Sequence, residues 1–71
     1  MEERTIREWR ETAGLTQAQL AARLAVTPSS VYNWETGKSE PRASQLKAMA
    51  KLFGVSMDAI VFEAEEVKSV A

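Results

Sequence analysis

The sequence predicts an all-α fold, a compact bundle of five helices in which helices two and three are separated by only two or three residues. Three observations lead to that reading. Apolar residues recur at helical spacing along most of the chain. Threonine or serine precedes these stretches and glycine closes them. The chain has neither cysteine nor histidine, so disulfides and the commonest zinc sites are ruled out and the core has to come from helix packing. At 71 residues it forms one domain, near the lower limit at which an apolar core alone suffices.

Ile6, Trp9, Arg10 and Ala13 fall at helical spacing up to Gly14 and predict a first helix of about two to three turns. Thr5 with Glu8 either caps this helix or lies one turn inside it. Thr16 and Gln19 spell a capping box for the second helix, in which each residue satisfies an orphan backbone donor of the other. Leu20, Ala21 and Leu24 form its narrow apolar stripe, and Ala18 and Ala22 keep the neighbouring surface small enough for close packing. Thr27 is the next N-cap, and Pro28 takes the first helical position, where its missing N–H costs nothing. Val31, Trp34 and Glu35 share one face of this third helix, and Gly37 supplies the left-handed residue that ends it. Helices joined this tightly cross steeply. The arrangement is a helix-turn-helix, with the second of the pair left free to enter a DNA major groove.

Beyond Gly37 the segment 38–42 contains Pro41, which disfavours helix in the residue before it, and here the chain reverses. Leu46, Met49, Ala50 and Phe53 mark a fourth helix closed by Gly54, with Lys47 and Lys51 on its exposed side. Ser56 is expected to cap a short fifth helix carrying Met57, Ile60 and Val61. The domain is placed at 1–62 and a short acidic tail at 63–71, where Val67 and Val70 either extend a helix against a partner or belong to a frayed terminus.

Apolar runs are only a few residues long and the N-terminus is charged, so the expectation is a soluble, cytoplasmic protein without a membrane partner. No cofactor is expected, and no carboxylate cluster argues for a metal. No enzyme is expected either, since histidine, cysteine and paired carboxylates on a concave face are all missing. The net charge of −1 is low for a nucleic-acid binder, but it is unevenly distributed. Residues 1–57 carry eight Lys/Arg against six Asp/Glu, whereas residues 58–71 carry Lys68 against Asp58, Glu63, Glu65 and Glu66. This balance predicts modest non-specific DNA affinity and a shallow salt dependence.

Several features together resemble the Cro and lambda-repressor type of helix-turn-helix protein, the xenobiotic response element (XRE) family. They are the spacing of Arg10 to Leu15-Thr16-Gln17, then Leu20-Ala21, Val31-Tyr32-Asn33-Trp34-Glu35, Gly37-Lys38, Pro41 and Leu52-Phe53-Gly54-Val55-Ser56-Met57-Asp58. The resemblance covers about Ile6 to Val61. It implies a regulator of transcription, of phage or bacterial type and most often a repressor, that binds a palindromic operator in double-stranded DNA as a dimer. Glycine is frequent at the turn in this family, and Ala25 stands there instead.

The resemblance also implies residue roles. Gln17, at the start of helix two, contacts a phosphate with help from the helix N-terminus. The recognition helix, about 27–36, presents Thr27, Ser29, Ser30, Tyr32 and Asn33 to DNA, with Ser29 and Asn33 closest to the usual reading positions. Asn33 is suited to a bidentate pair with adenine. Tyr32 either touches a thymine methyl or a phosphate, or shields the helix face. Pro28 stands where some relatives carry a base-reading glutamine. Lys38 and Arg42 flank the loop that crosses the DNA backbone, and Arg23 either joins them or complements the dipole of its own helix. Arg10 and Glu35 are expected to form a partly buried structural ion pair between helix one and the recognition helix. Dimerisation is expected through helix five and the tail, with Met57, Ile60, Val61 and Phe62 supplying apolar area. An antitoxin-like or bridging role with a protein partner is the alternative that the low net charge suits.

Overall fold

Threonines set the starts of the first three helices. The computed structural model describes residues 2–61. Helix α1 spans Ile6–Thr12, and Thr5 is its N-cap: its hydroxyl accepts the Glu8 amide at 3.2 Å and the Glu8 carboxylate accepts the Thr5 amide at 2.9 Å. Helix α2, Gln17–Leu24, repeats the device with Thr16 and Gln19, at 3.1 and 2.8 Å. Helix α3, Pro28–Thr36, begins at Thr27 with proline in its first turn and ends at Gly37, whose φ of 84° is left-handed. Helix α4, Ala43–Phe53, is entered at Arg42, whose amide donates to the Gln45 side chain at 2.8 Å, and it stops at Gly54. Such reciprocal caps satisfy donors that the first helical turn otherwise leaves orphaned.

Ile6, Leu20, Ala21, Val31, Trp34, Met49, Ala50 and Ile60 form the buried cluster, and every helix contributes to it. Trp9, Leu15, Leu24, Val26, Leu46, Leu52, Phe53 and Val55 pack around it. Leu20, Val31 and Met49 are fully enclosed, and burying a side chain of this size contributes about 1.5–3 kcal/mol before entropy is subtracted. Helix α2 makes its main contact with α3, and α4 also packs on α2. The orientation of the helix pair is thus set by buried apolar surface.

The structure corrects the expectation of five helices and of a purely α fold. It holds four α-helices, and where the fifth was expected there is a single 3-10 turn, Met57–Ala59, followed by an extended segment. Two residues, Arg4–Thr5 (β1), pair in parallel with Ile60–Val61 (β2), in the register Arg4 to Ile60 and Thr5 to Val61. Two interactions defeat the helix. The Trp9 indole N–H donates to the Ala59 carbonyl at 2.8 Å, taking an oxygen that a continuing helix would offer to the amide four residues on. Ile60 and Val61 are β-branched and suit the extended backbone that pairs with β1.

Phe62 and the acidic tail at 63–71, with Val67 and Val70, lie outside the described residues. Among the described residues no helix is long and apolar enough to cross a membrane.

Candidate nucleic-acid interface

The turn between α2 and α3 is built on Ala25, the one non-glycine residue with positive φ among the described residues, at φ 59° and ψ 41°. Its left-handed backbone lets the Val26 amide reach back to the Ala21 carbonyl at 3.0 Å, closing α2 and turning the chain into α3 within three residues. An alanine there costs about 1 kcal/mol relative to an unstrained residue, which the packed α2–α3 interface absorbs.

Rotation by 100° per residue divides α3 into two faces. Val31 and Trp34 are buried, and the Glu35 side chain is 4% exposed. The opposite arc carries Ser29, Tyr32, Asn33 and Thr36, so the helix shows solvent a surface of short polar groups and one aromatic ring. Among the described residues no hydrogen bond holds the Asn33 side-chain amide, which leaves both its donor and its acceptor for a ligand. Thr27 and Ser30 are placed differently. Their hydroxyls lie 3.1 Å apart, and the Thr27 oxygen also accepts the Ser30 amide, so both are engaged in starting the helix. The Thr36 hydroxyl donates back to the Tyr32 carbonyl at 3.0 Å.

The orientation of α3 is locked by a polar knot on its inner side. Arg10 donates from Nε to Glu35 Oε2 at 2.6 Å and from Nη2 to Oε1 at 3.2 Å, and its Nη1 donates to the Leu15 carbonyl at 2.9 Å. Gln17 adds a further bond, from Nε2 to Glu35 Oε1 at 3.0 Å. One arginine and one carboxylate thus tie α1, the connection after it, α2 and α3 together. The hydrogen bond to Glu35 raises the Arg10 pKa above its ordinary value, against the opposing effect of burial, so the guanidinium stays charged at every working pH.

The remaining residues singled out by the sequence surround this arrangement. Gln17 is half-buried and spends one amide hydrogen on Glu35, which leaves the other for a phosphate. Arg23 is exposed in the last turn of α2. Arg42 is exposed where α4 begins. Lys38, just past the end of α3, holds its ammonium 5.7 Å from the centre of the Tyr32 ring. An open cleft beside α3 is lined by Arg7, Arg10, Gln17, Tyr32, Glu35 and Thr36. Sequence reasoning did not single out Arg7, whose exposed position on α1 carries no distinguishing signal and whose guanidinium meets Glu11 at 3.1 Å. The tie between Gln17 and Glu35 also has no local signature, because it joins residues 18 apart.

The helix-turn-helix family matches residues 6–60 of this chain. The chain is 36% identical over 56 residues to the HTH-type transcriptional activator BcrR of Enterococcus faecalis, a match covering 79% of this chain and 28% of that protein. It is 40% identical over 40 residues to the 26 kDa repressor protein of Escherichia phage HK022, covering 56% of this chain and 17% of the repressor. Among solved structures, the crystal structure of FeII HppE in complex with substrate matches with a TM-score of 0.68 and 34% identity, over 76% of this chain and 32% of that one. The chain therefore spans less than a third of each of these relatives.

Proposed function

This chain belongs to the XRE-type helix-turn-helix family of DNA-binding transcription regulators, and from that premise we propose that it binds a palindromic operator as a dimer, with α3 in the major groove. The observation that carries the proposal is the two-sidedness of α3. Its inner face is immobilised by Val31, Trp34 and the Arg10–Glu35–Gln17 knot, while its outer arc offers Ser29 and the unengaged Asn33 amide. A helix held rigidly by its scaffold and polar on its free face is what reading base edges requires.

In this reading Asn33 pairs with adenine and Ser29 contacts an adjacent base edge. The spare hydrogen of Gln17, Lys38 and Arg42 engage phosphates and set the register. Thr27 and Ser30 support the helix start that brings Ser29 to the groove, and Arg23 adds charge along the flank. One recognition helix covers only a half-site, so two copies would lie about one DNA turn apart. The proposed contact between copies includes Met57, which is 42% exposed on the 3-10 turn, and the chain that follows Val61. The proposed setting is the cytoplasm of a bacterium, with the chain encoded by the host or by a phage. The proposed output is repression by occupancy of the operator, through binding alone and without catalysis.

The test is selection of random duplex DNA by the purified protein at moderate salt, with Asn33→Ala alongside. A palindrome recovered by the parent and lost in the variant supports the reading. No enrichment by the parent would overturn it and move attention to a protein partner.

A further inference from the structure

We infer that Tyr32 is a positioning residue for Lys38, and that the two form a prearranged clamp for a DNA backbone phosphate at the C-terminal end of the recognition helix. The inference rests on the DNA-binding reading above and adds a role for Tyr32 that the resemblance left open between base contact, phosphate contact and simple shielding.

The geometry begins at Gly37. Its left-handed backbone, φ 84°, stops α3 and turns the chain back along the helix instead of away from it. The amides of Lys38 and Ser39 both donate to the Asn33 carbonyl, at 2.9 and 3.3 Å, so the backbone carrying the lysine is fixed from below. The lysine side chain then lies over the preceding turn, with its ammonium 5.7 Å from the Tyr32 ring centre. That is within the range at which the negative face of an aromatic ring attracts a cation.

Tyr32 is 48% exposed and belongs to the same outer arc of α3 as Asn33. A large aromatic left open on a helix face is free to act on what approaches that face. Here it borders the open cleft on one side and the lysine on the other. An unrestrained lysine loses most of its rotamer freedom on meeting a phosphate, and that loss weakens binding. Resting on the ring, Lys38 has given up much of that freedom beforehand. The ring meets the ammonium on one side only, so the hydrogens directed away from it stay available to phosphate oxygens.

The role requires the aromatic face and does not require the hydroxyl. Phosphate contact is independent of sequence, so a random 20-base-pair duplex at low salt serves as the probe and no operator has to be known. Binding of the full chain is measured for the parent, Tyr32→Phe, Tyr32→Leu, Lys38→Met and the Tyr32→Leu/Lys38→Met pair, with thermal melting to confirm that each is folded. The expected result is parent-like binding by Tyr32→Phe and binding about two- to fivefold weaker for Tyr32→Leu. In the Lys38→Met background, Tyr32→Leu should cause no further loss, because the ring then has no cation to hold.

Equal losses from Tyr32→Leu with and without Lys38 would mean that the ring meets DNA on its own account and would overturn the clamp while leaving the DNA-binding reading intact. Loss in Tyr32→Phe would assign the effect to the hydroxyl and overturn it likewise. Failure of the parent to bind duplex at low salt would remove the DNA-binding reading and the clamp with it.

Discussion

Arg10 and Glu35 lie 25 residues apart and meet through two hydrogen bonds, from Nε to Oε2 and from Nη2 to Oε1, with side chains only 12% and 4% exposed. Glu35 also accepts from Gln17, and Arg10 also donates to the Leu15 carbonyl, so all three guanidinium nitrogens and both carboxylate oxygens are engaged. Removing one partner strands the other in a poorly solvated place. Arg10→Ala is expected to lose about 3 kcal/mol of stability, a fall in Tm of roughly 12 °C or more, by thermal unfolding. Arg10→Lys keeps the charge but loses the two-pronged geometry, and should fall between the parent and alanine. A melting temperature unchanged by Arg10→Ala would refute the structural role of the pair.

The strained turn predicts a gain. Ala25 adopts a conformation in which its Cβ crowds the following carbonyl, and glycine escapes that penalty. Ala25→Gly is expected to stabilise the chain by about 0.5–1 kcal/mol, the relieved strain being partly offset by the greater freedom of the unfolded chain. Thermal unfolding should show a Tm higher by roughly 4 °C.

The indole of Trp9 should be separable from its ring. Trp9→Phe retains an aromatic face for Phe53, whose ring centre lies 6.4 Å away, but leaves the carbonyl of fully buried Ala59 without its donor. An orphaned buried acceptor costs about 1–2 kcal/mol, which a denaturant titration followed by far-UV circular dichroism would register as a lower midpoint at unchanged slope.

Base reading and phosphate contact should separate in binding. Asn33→Ala is expected to lose about 1–3 kcal/mol on the selected operator while keeping affinity for random duplex. Arg42→Ala should weaken both and reduce the salt slope by about 1. Titrations of both duplexes over a range of salt concentrations distinguish the two patterns.

Helix starts and stops were legible because they are written locally. Thr16 with Gln19, Thr27 with Pro28, and the glycines at 37 and 54 act within one turn of chain, and the structure uses each of them. Thr5 belongs with them once its two possible places are resolved in favour of the cap. The segment from Met57 to Val61 was illegible for the opposite reason. Its fate is decided by Trp9 and by Arg4–Thr5, residues about fifty positions away, and a short apolar run carries no mark of such partners. The candidate interface divides in the same way. That α3 has a polar outer arc follows from spacing alone, whereas the partnership of Arg10 with Glu35 was reached through resemblance and that of Lys38 with Tyr32 only through the fold.

The short ladder joining Arg4 to Ile60 and Thr5 to Val61 gives the four helices a topological meaning. Parallel strands cannot be linked by a hairpin and need a long crossover, and here the crossover is the entire helical unit. Helix α3 is therefore carried on a closed circuit whose seam is made by the two ends of the described chain. Closing such a circuit costs only slightly more as it lengthens, about 0.6 kcal/mol for each doubling, so evolution could enlarge the 38–42 loop cheaply. Parting the seam, by contrast, would release Ile6 and Ile60 at once from the core that also holds Val31 and Trp34, making the seam a place where a small backbone change is felt by α3.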